Sequence, residues 1–188
     1  TLAFFLFLFV LVGAAVETGL IESLALALGW LVDAVSRALV LSPRATLLVA
    51  ALLLLWVSGV LSAFINNIPY AAVTIPLVAT LLGRMQAGPD GQVLWWALAL
   101  GTCLGGNGTL IGASANVAVT GLAEKDGKRI SFNEFTRYGA RVTAITLVMS
   151  SVYLALWLYV GSASVNIAGA VVLAAWFAAS RLRRSTSC

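Results

Sequence analysis

The sequence predicts an all-α integral membrane protein organised around a re-entrant helical hairpin and a broken transmembrane helix. Hydrophobic residues make up 61% of the 188 and charged ones 10%, a balance suited to apolar helices in a bilayer. Residues 101–121, GTCLGGNGTLIGASANVAVTG, interrupt an apolar run with Gly105, Gly106, Gly108 and Gly112 and with the polar Asn107, Thr109, Ser114 and Asn116. A second polar interruption, Asn66-Asn67-Ile68-Pro69, divides the apolar stretch before it.

The first interruption is the more informative. Each glycine inside a helix costs roughly 1 kcal/mol relative to alanine, so four in this short stretch argue that the helix is broken. In hydrocarbon a break leaves peptide groups unpaired, which is tolerated only where the chain is buried in protein or lines a polar cavity. The structural alternative is a small-residue face for close helix contact. Packing alone does not ask for Asn107, Thr109, Ser114 and Asn116 together, and their presence favours a binding site.

In chain order, residues 1–40 read as a transmembrane helix followed by a weakly amphipathic surface segment. Glu17 lies where the helix meets that segment. It is either an interfacial end-charge or an ion relay facing a transport path, as intramembrane carboxylates often are. Ser42-Pro43 is a helix start, with Ser as N-cap and Pro at the first helical position. Residues 44–84 then form the hairpin, with its polar tip at residues 66–69. Its second arm, residues 70–82, spans roughly 20 Å at 1.5 Å per residue, too short for a core of roughly 30 Å; two spanning helices joined by a turn in water is the competing reading. Gly88-Pro89-Asp90-Gly91 marks an exposed turn, and Trp95 and Trp96 follow where an interfacial aromatic belt would lie. The broken helix occupies residues 93–123.

Residues 124–141 carry a charged loop and a capping box, Ser131-Phe132-Asn133-Glu134. The box opens either an amphipathic helix in the headgroup plane or the first turns of the next span, residues 142–160. A further apolar run, residues 165–180, is of marginal length for a span. One side of the membrane receives eight Lys and Arg, from residues 124–141 and the C-terminal tail, and the other receives Arg37, Arg44 and Arg84. The positive-inside rule makes the first side, and the tail, cytoplasmic. The expected location is a bacterial inner (plasma) membrane.

Other classes are excluded on composition. No basic soluble module exists for nucleic acid. There is no histidine, and the two cysteines, Cys103 and Cys188, make no disulfide framework. Neither a metal site nor a resident cofactor is expected. The Gly-rich stretch lacks the Lys-Ser/Thr ending of a phosphate-cradling loop.

The order of hairpin, broken helix, amphipathic segment and span resembles the second half of the ion transporter superfamily. LGGNGTLIGASANV at residues 104–117, followed by Ser131-Phe132-Asn133-Glu134-Phe135, is similar to the branch that holds the pink-eyed-dilution P protein, the arsenite permeases and the citrate-transporter-like domain proteins. The resemblance runs from about residue 2 to residue 159. It implies one inverted-repeat half of a secondary transporter, so that an N-terminal repeat in the same or another chain would complete it; a homodimer is open. The motif SAFINNIPY puts Asn66, Asn67 and Pro69 at a solute-binding tip, and the second motif puts Gly106, Asn107, Gly108, Thr109, Ser114 and Asn116 opposite. Where many P-protein-like sequences have Asp, this chain has Asn66, which matches the arsenite-permease pattern and removes a carboxylate that could couple Na⁺ or a proton.

The expected function is an elevator-like permease or antiporter, with the lipid bilayer as its environment. It takes a small inorganic or organic anion or cation, with Na⁺ or a proton as coupling ion. Two half-helix N-termini aimed at one cavity favour an anion, and unwound carbonyls favour Na⁺. Two other readings stand beside it. One is a non-transporting membrane assembly subunit. The other is an intramembrane enzyme, which lacks a base near Ser62, Thr109 or Ser114 in sequence.

Overall fold

The computed structural model describes residues 16–161 together with Phe7, Val10, Gly13, Ala14, Ser164, Ile167 and Gly169. Most of the expected first span, nearly all of the last run at 165–180 and the basic C-terminal tail lie outside the described residues. Six helices are described from end to end: α1 (Leu20–Ala38), α2 (Pro43–Ser62), α3 (Asn67–Met85), α4 (Gln92–Gly105), α5 (Ser114–Lys125) and α6 (Phe132–Val160), with a 3₁₀ turn at Gly88–Gly91 before α4. Among the described residues there is no strand. Among the described residues three helices, α2, α3 and α6, are long and apolar enough to cross a membrane.

The packing follows from a four-residue rhythm of small and apolar side chains. On α2 the buried stripe is Leu47, Ala50, Ala51, Leu54, Leu55, Ser58, Gly59 and Ser62. On α4 it is Val93, Leu94, Ala97, Leu98, Gly101, Thr102 and Gly105. These two stripes make the most extensive contact among the described helices. They run parallel: Gly101 lies against the Leu55 carbonyl and Ser58, Gly105 against the Gly59 backbone, and Gly108 against Ala63. A Cβ at Gly101 would sit 2.5 Å from the Leu55 oxygen, so the two backbones touch because no side chain separates them. The small-residue face expected as the alternative to a break is therefore present at Gly101 and Gly105, while the break begins just after them.

Helix α6 returns antiparallel to both. Leu147 meets Gly59, the Trp56 indole N–H donates to Ser151 Oγ at 3.1 Å, and the Thr143 hydroxyl donates to the Leu104 carbonyl at 3.1 Å. Arg44 pairs with Asp90 at 3.4 Å at the opposite end, beside Trp157 and Tyr159. This pair is largely solvated and contributes little to stability. Trp95 and Trp96, near the start of α4, lie at the same end, which gives it the aromatic and charged character of a membrane interface.

Several elements differ from expectation. Residues 20–38 pack along α3 and α2 rather than standing apart, with Ile21, Ala25 and Val32 buried. The second hairpin arm has 19 residues instead of ending at residue 82, so its length does not exclude a full crossing. The cause is local: Asn66 caps the helix by accepting from the Ile68 N–H at 3.3 Å, and Pro69 falls in the first turn, where its missing N–H has no intrahelical partner to lose. Residues 132–160 form one continuous helix of 29 residues, so of the two readings of the capping box the structure follows the second, the first turns of the next span, and not a separate helix in the headgroup plane. Ser131 accepts from the Glu134 N–H at 3.2 Å and opens it. The Ser42 cap is as expected, with its side chain accepting from the Ala45 N–H at 3.4 Å.

The two hairpin arms make little contact with each other. Where they do meet near the tip, Tyr70 Oη donates to Ser58 Oγ at 3.0 Å. Tyr70→Phe should lower stability by about 1 kcal/mol, the usual net worth of one such bond, measured by thermal unfolding in detergent micelles.

Candidate solute-binding site

The helix does break. Helix α4 ends at Gly105 and α5 begins at Ser114, and at 1.5 Å per residue α4 has by then climbed roughly 21 Å, short of a core about 30 Å thick. The intervening backbone must satisfy its own peptide groups, and the sequence supplies the means. Asn116 Nδ2 donates to the Gly106 carbonyl at 2.8 Å and to the Thr109 carbonyl at 3.1 Å. The Thr109 hydroxyl donates to the Ala63 carbonyl at the end of α2 and accepts from the Gly112 N–H at 3.2 Å. The turn is tight: a Cβ at Gly112 would lie 2.7 Å from the Gly106 oxygen and 3.0 Å from the Ala63 oxygen.

The hairpin tip enters this turn through Asn67, the first residue of α3. Its amide faces three acceptors, so Nδ2 belongs on that side: it donates to Ser62 Oγ at 2.7 Å and to the Gly112 and Thr102 carbonyls at 3.2 Å each. The Ser62 hydroxyl donates to the Thr102 carbonyl at 2.8 Å. A Cβ at Gly106 would fall 2.5 and 2.9 Å from the terminal atoms of the Asn67 amide, so only glycine admits the tip there. Gly108 is likewise closed in, by Ala63 and Thr143.

The expected site residues thus divide. Asn67, Gly106, Gly108, Thr109 and Asn116 come together around one turn, with Asn66 as the cap of α3 and Pro69 in its first turn. Asn107 and Ser114 are exposed, and among the described residues their side chains make no hydrogen bond. Glu17 is exposed, just before the turn into α1, and is no part of this cluster. Ser62, Thr102 and Thr143 were not expected at the site. Ser62 could have been found in SAFINNIPY; Thr102 and Thr143 carry no local signal.

Two helix N-termini, of α3 and α5, converge here. That of α3 is capped by Asn66, whereas Ala113 precedes α5 with no side-chain cap, so the first N–H groups of α5 have no such acceptor. No ionisable side chain belongs to the cluster, and among the described residues no group of His, Cys, Asp and Glu could hold a metal ion.

A membrane helix bundle with a hairpin tip seated in an unwound segment has the architecture of a membrane transporter half. The comparisons give the family: a family model described as citrate transporter matches residues 1–101, and the chain belongs to that family. It is 46% identical over 158 residues to an uncharacterized transporter of Mycobacterium tuberculosis, covering 84% of this chain and 34% of that one. It is 42% identical over 158 residues to a 46 kDa membrane protein of Mycobacterium leprae, with the same coverage. It is 41% identical over 154 residues to the P protein of Homo sapiens, covering 82% of this chain and 18% of that one. The chain spans about a third of the length of these mycobacterial relatives. No solved structure matches. The chain is thus an integral membrane protein of a transporter family.

Proposed function

We propose that this chain is one repeat of a secondary active transporter that binds a small anion where the hairpin tip meets the helix break. The observation that carries the reading is the convergence of two helix N-termini, one without a side-chain cap, on a turn whose carbonyls are already occupied. A helix N-terminus carries roughly half a positive charge, and its free N–H groups are donors suited to carboxylate or oxyanion groups. With the Gly106 and Thr109 carbonyls held by Asn116 and the Asn67, Ser62 and Thr109 donors held by other acceptors of the cluster, what the site keeps to offer is the uncapped N-terminus of α5. The family's description makes a citrate-like carboxylate the first solute to test; the arsenite-permease resemblance makes arsenite, a neutral oxyanion acid near neutral pH, the second.

Transport then moves the tip and the break together past the rest of the protein, driven by a Na⁺ or proton gradient. With no carboxylate in the cluster, a coupling proton would need another carrier, for which Glu17 is the sequence's candidate. A second repeat completes the cavity. The positive-inside rule supports a cytoplasmic face at residues 124–141.

The test is uptake of radiolabelled citrate and arsenite by full-length protein in proteoliposomes, under imposed Na⁺ or proton gradients. Asn67→Ala should reduce transport at least tenfold with expression intact. Unchanged transport by that variant would count against the site.

A further inference from the structure

We propose that the outward face of α6 holds an anionic phospholipid, its phosphate gripped by Arg137 and Arg141 and an acyl chain laid along Ile145, Val148 and Val152. The proposal does not depend on the solute site.

Helix α6 carries two opposite faces. Thr143, Leu147, Ser150, Leu154 and Leu158 are buried against the rest of the bundle. At about 3.6 residues per turn, Arg137, Arg141, Ile145, Val148, Val152 and Tyr159 share a stripe turned away from those contacts, and all of them are exposed. Charge stands at one end of the stripe and apolar surface fills the rest.

The same helix is a ruler of depth. Its far end, at Trp157 and Tyr159, lies beside the solvated Arg44–Asp90 pair, which marks one membrane interface. Counting back from Tyr159 at 1.5 Å per residue puts Arg141 roughly 27 Å away and Arg137 roughly 33 Å. A hydrocarbon core roughly 30 Å thick ends between them. Helical side chains lean toward the N-terminus of their helix, which is here the direction of water. Both guanidinium groups therefore reach the level of the lipid phosphates while their stems stay in the apolar layer.

The two cations lack a protein partner. Among the described residues the ion pairs are Arg44–Asp90 and Arg129–Glu124, so Glu134, which shares the face nearer the end of α6, pairs with neither arginine. Four residues apart on a helix, Arg137 and Arg141 start about 6 Å from each other, close enough for both to donate to one phosphodiester, a group that guanidinium geometry suits. Basic residues at the end of a membrane helix attract anionic headgroups in just this way. A second copy of the chain fits worse, because a two-fold axis along the membrane normal would set four arginines face to face at one depth. An anionic lipid brings phosphate and apolar chain in the order of the stripe.

The experiment uses full-length protein, stripped of lipid in a neutral detergent, with phosphatidylglycerol, phosphatidylcholine and inorganic phosphate as probes. The rise in Tm with each probe gives its apparent Kd. Phosphatidylglycerol should bind at least tenfold more tightly than phosphatidylcholine, and inorganic phosphate should give no rise. Arg137→Gln combined with Arg141→Gln should weaken phosphatidylglycerol binding at least tenfold and leave the lipid-free Tm unchanged. Lys125→Gln combined with Lys128→Gln removes the same charge from the neighbouring loop and should change that affinity less than threefold. Equal losses in the two double variants would show general charge attraction, and an equal response to inorganic phosphate would show that the apolar stripe adds nothing; either overturns the proposal. A lower lipid-free Tm in the arginine variant also overturns it, since another part of the full-length protein would then occupy the face. So does dissociation of an oligomer in that variant, which would make a second copy the occupant.

Discussion

Gly105→Val should unfold the protein in detergent at least about 3 kcal/mol more readily than the parent, and the variant should accumulate poorly in membranes. The first added atom, Cβ, already collides with the oxygen and Cα of Gly59 on α2. Overpacking a core against side chains typically costs about 1–3 kcal/mol, because rotamers can adjust. Here the obstacle is backbone on both sides, and relief requires parting α2 from α4 over a shared stripe that includes Leu54, Leu55, Leu94, Ala97 and Leu98. Gly121→Ala is the matched control: nothing lies within 4 Å of a Cβ there, so alanine should be neutral or stabilise α5 by up to about 1 kcal/mol. Unfolding followed by intrinsic tryptophan fluorescence would read both. Equal effects of the two substitutions would show that the close approach of α2 and α4 is not what holds the bundle.

The second large effect concerns Asn116. Asn116→Leu keeps the side chain's approximate size but leaves the Gly106 and Thr109 carbonyls without their donor. Each acceptor stranded out of water costs about 1–3 kcal/mol, and the half-buried position of Asn116 puts the expected total near the lower half of the combined range, about 2–4 kcal/mol. Asn116→Asp sharpens the test. A carboxylate has no N–H to give and sets a negative charge against two carbonyl oxygens, so it should be at least as damaging as leucine. If Asn116 instead served the solute through its amide oxygen, aspartate would leave solute-free stability intact. Thermal unfolding without solute distinguishes these outcomes.

Much of this arrangement was legible in the residues. The cluster of Gly106, Gly108 and Gly112 announced a chain too tightly turned for a helix, and Asn116 and Thr109 announced that something would have to satisfy it. What composition could not reveal was the division of labour: Thr109 and Asn116 are committed to the turn's own carbonyls, while Asn107 and Ser114, equally polar, face outward. The length of α3 was underestimated because Asn67 to Pro69 were assigned to the tip and the arm was started at residue 70, although a proline in a first turn loses no hydrogen bond. The continuity of α6 stayed one of two readings because Arg137 and Arg141 look interfacial, whereas Gly139 of the same segment packs against the backbone of Asn107 and Gly108 and carries the helix through. Thr102 and Thr143 were invisible because their meaning lies in partners some forty positions distant in the chain.

The glycine contact between α2 and α4 has a mechanical corollary. Side chains between helices act as deformable padding; with backbone against backbone there is none, so these two rods behave as a single stiff strut. By contrast α3 meets α2 sparsely, pinned mainly through Tyr70 and Asn67 near one end. Compliance in this bundle is therefore concentrated along one seam, and whatever strain a passenger molecule imposes will be taken up there first.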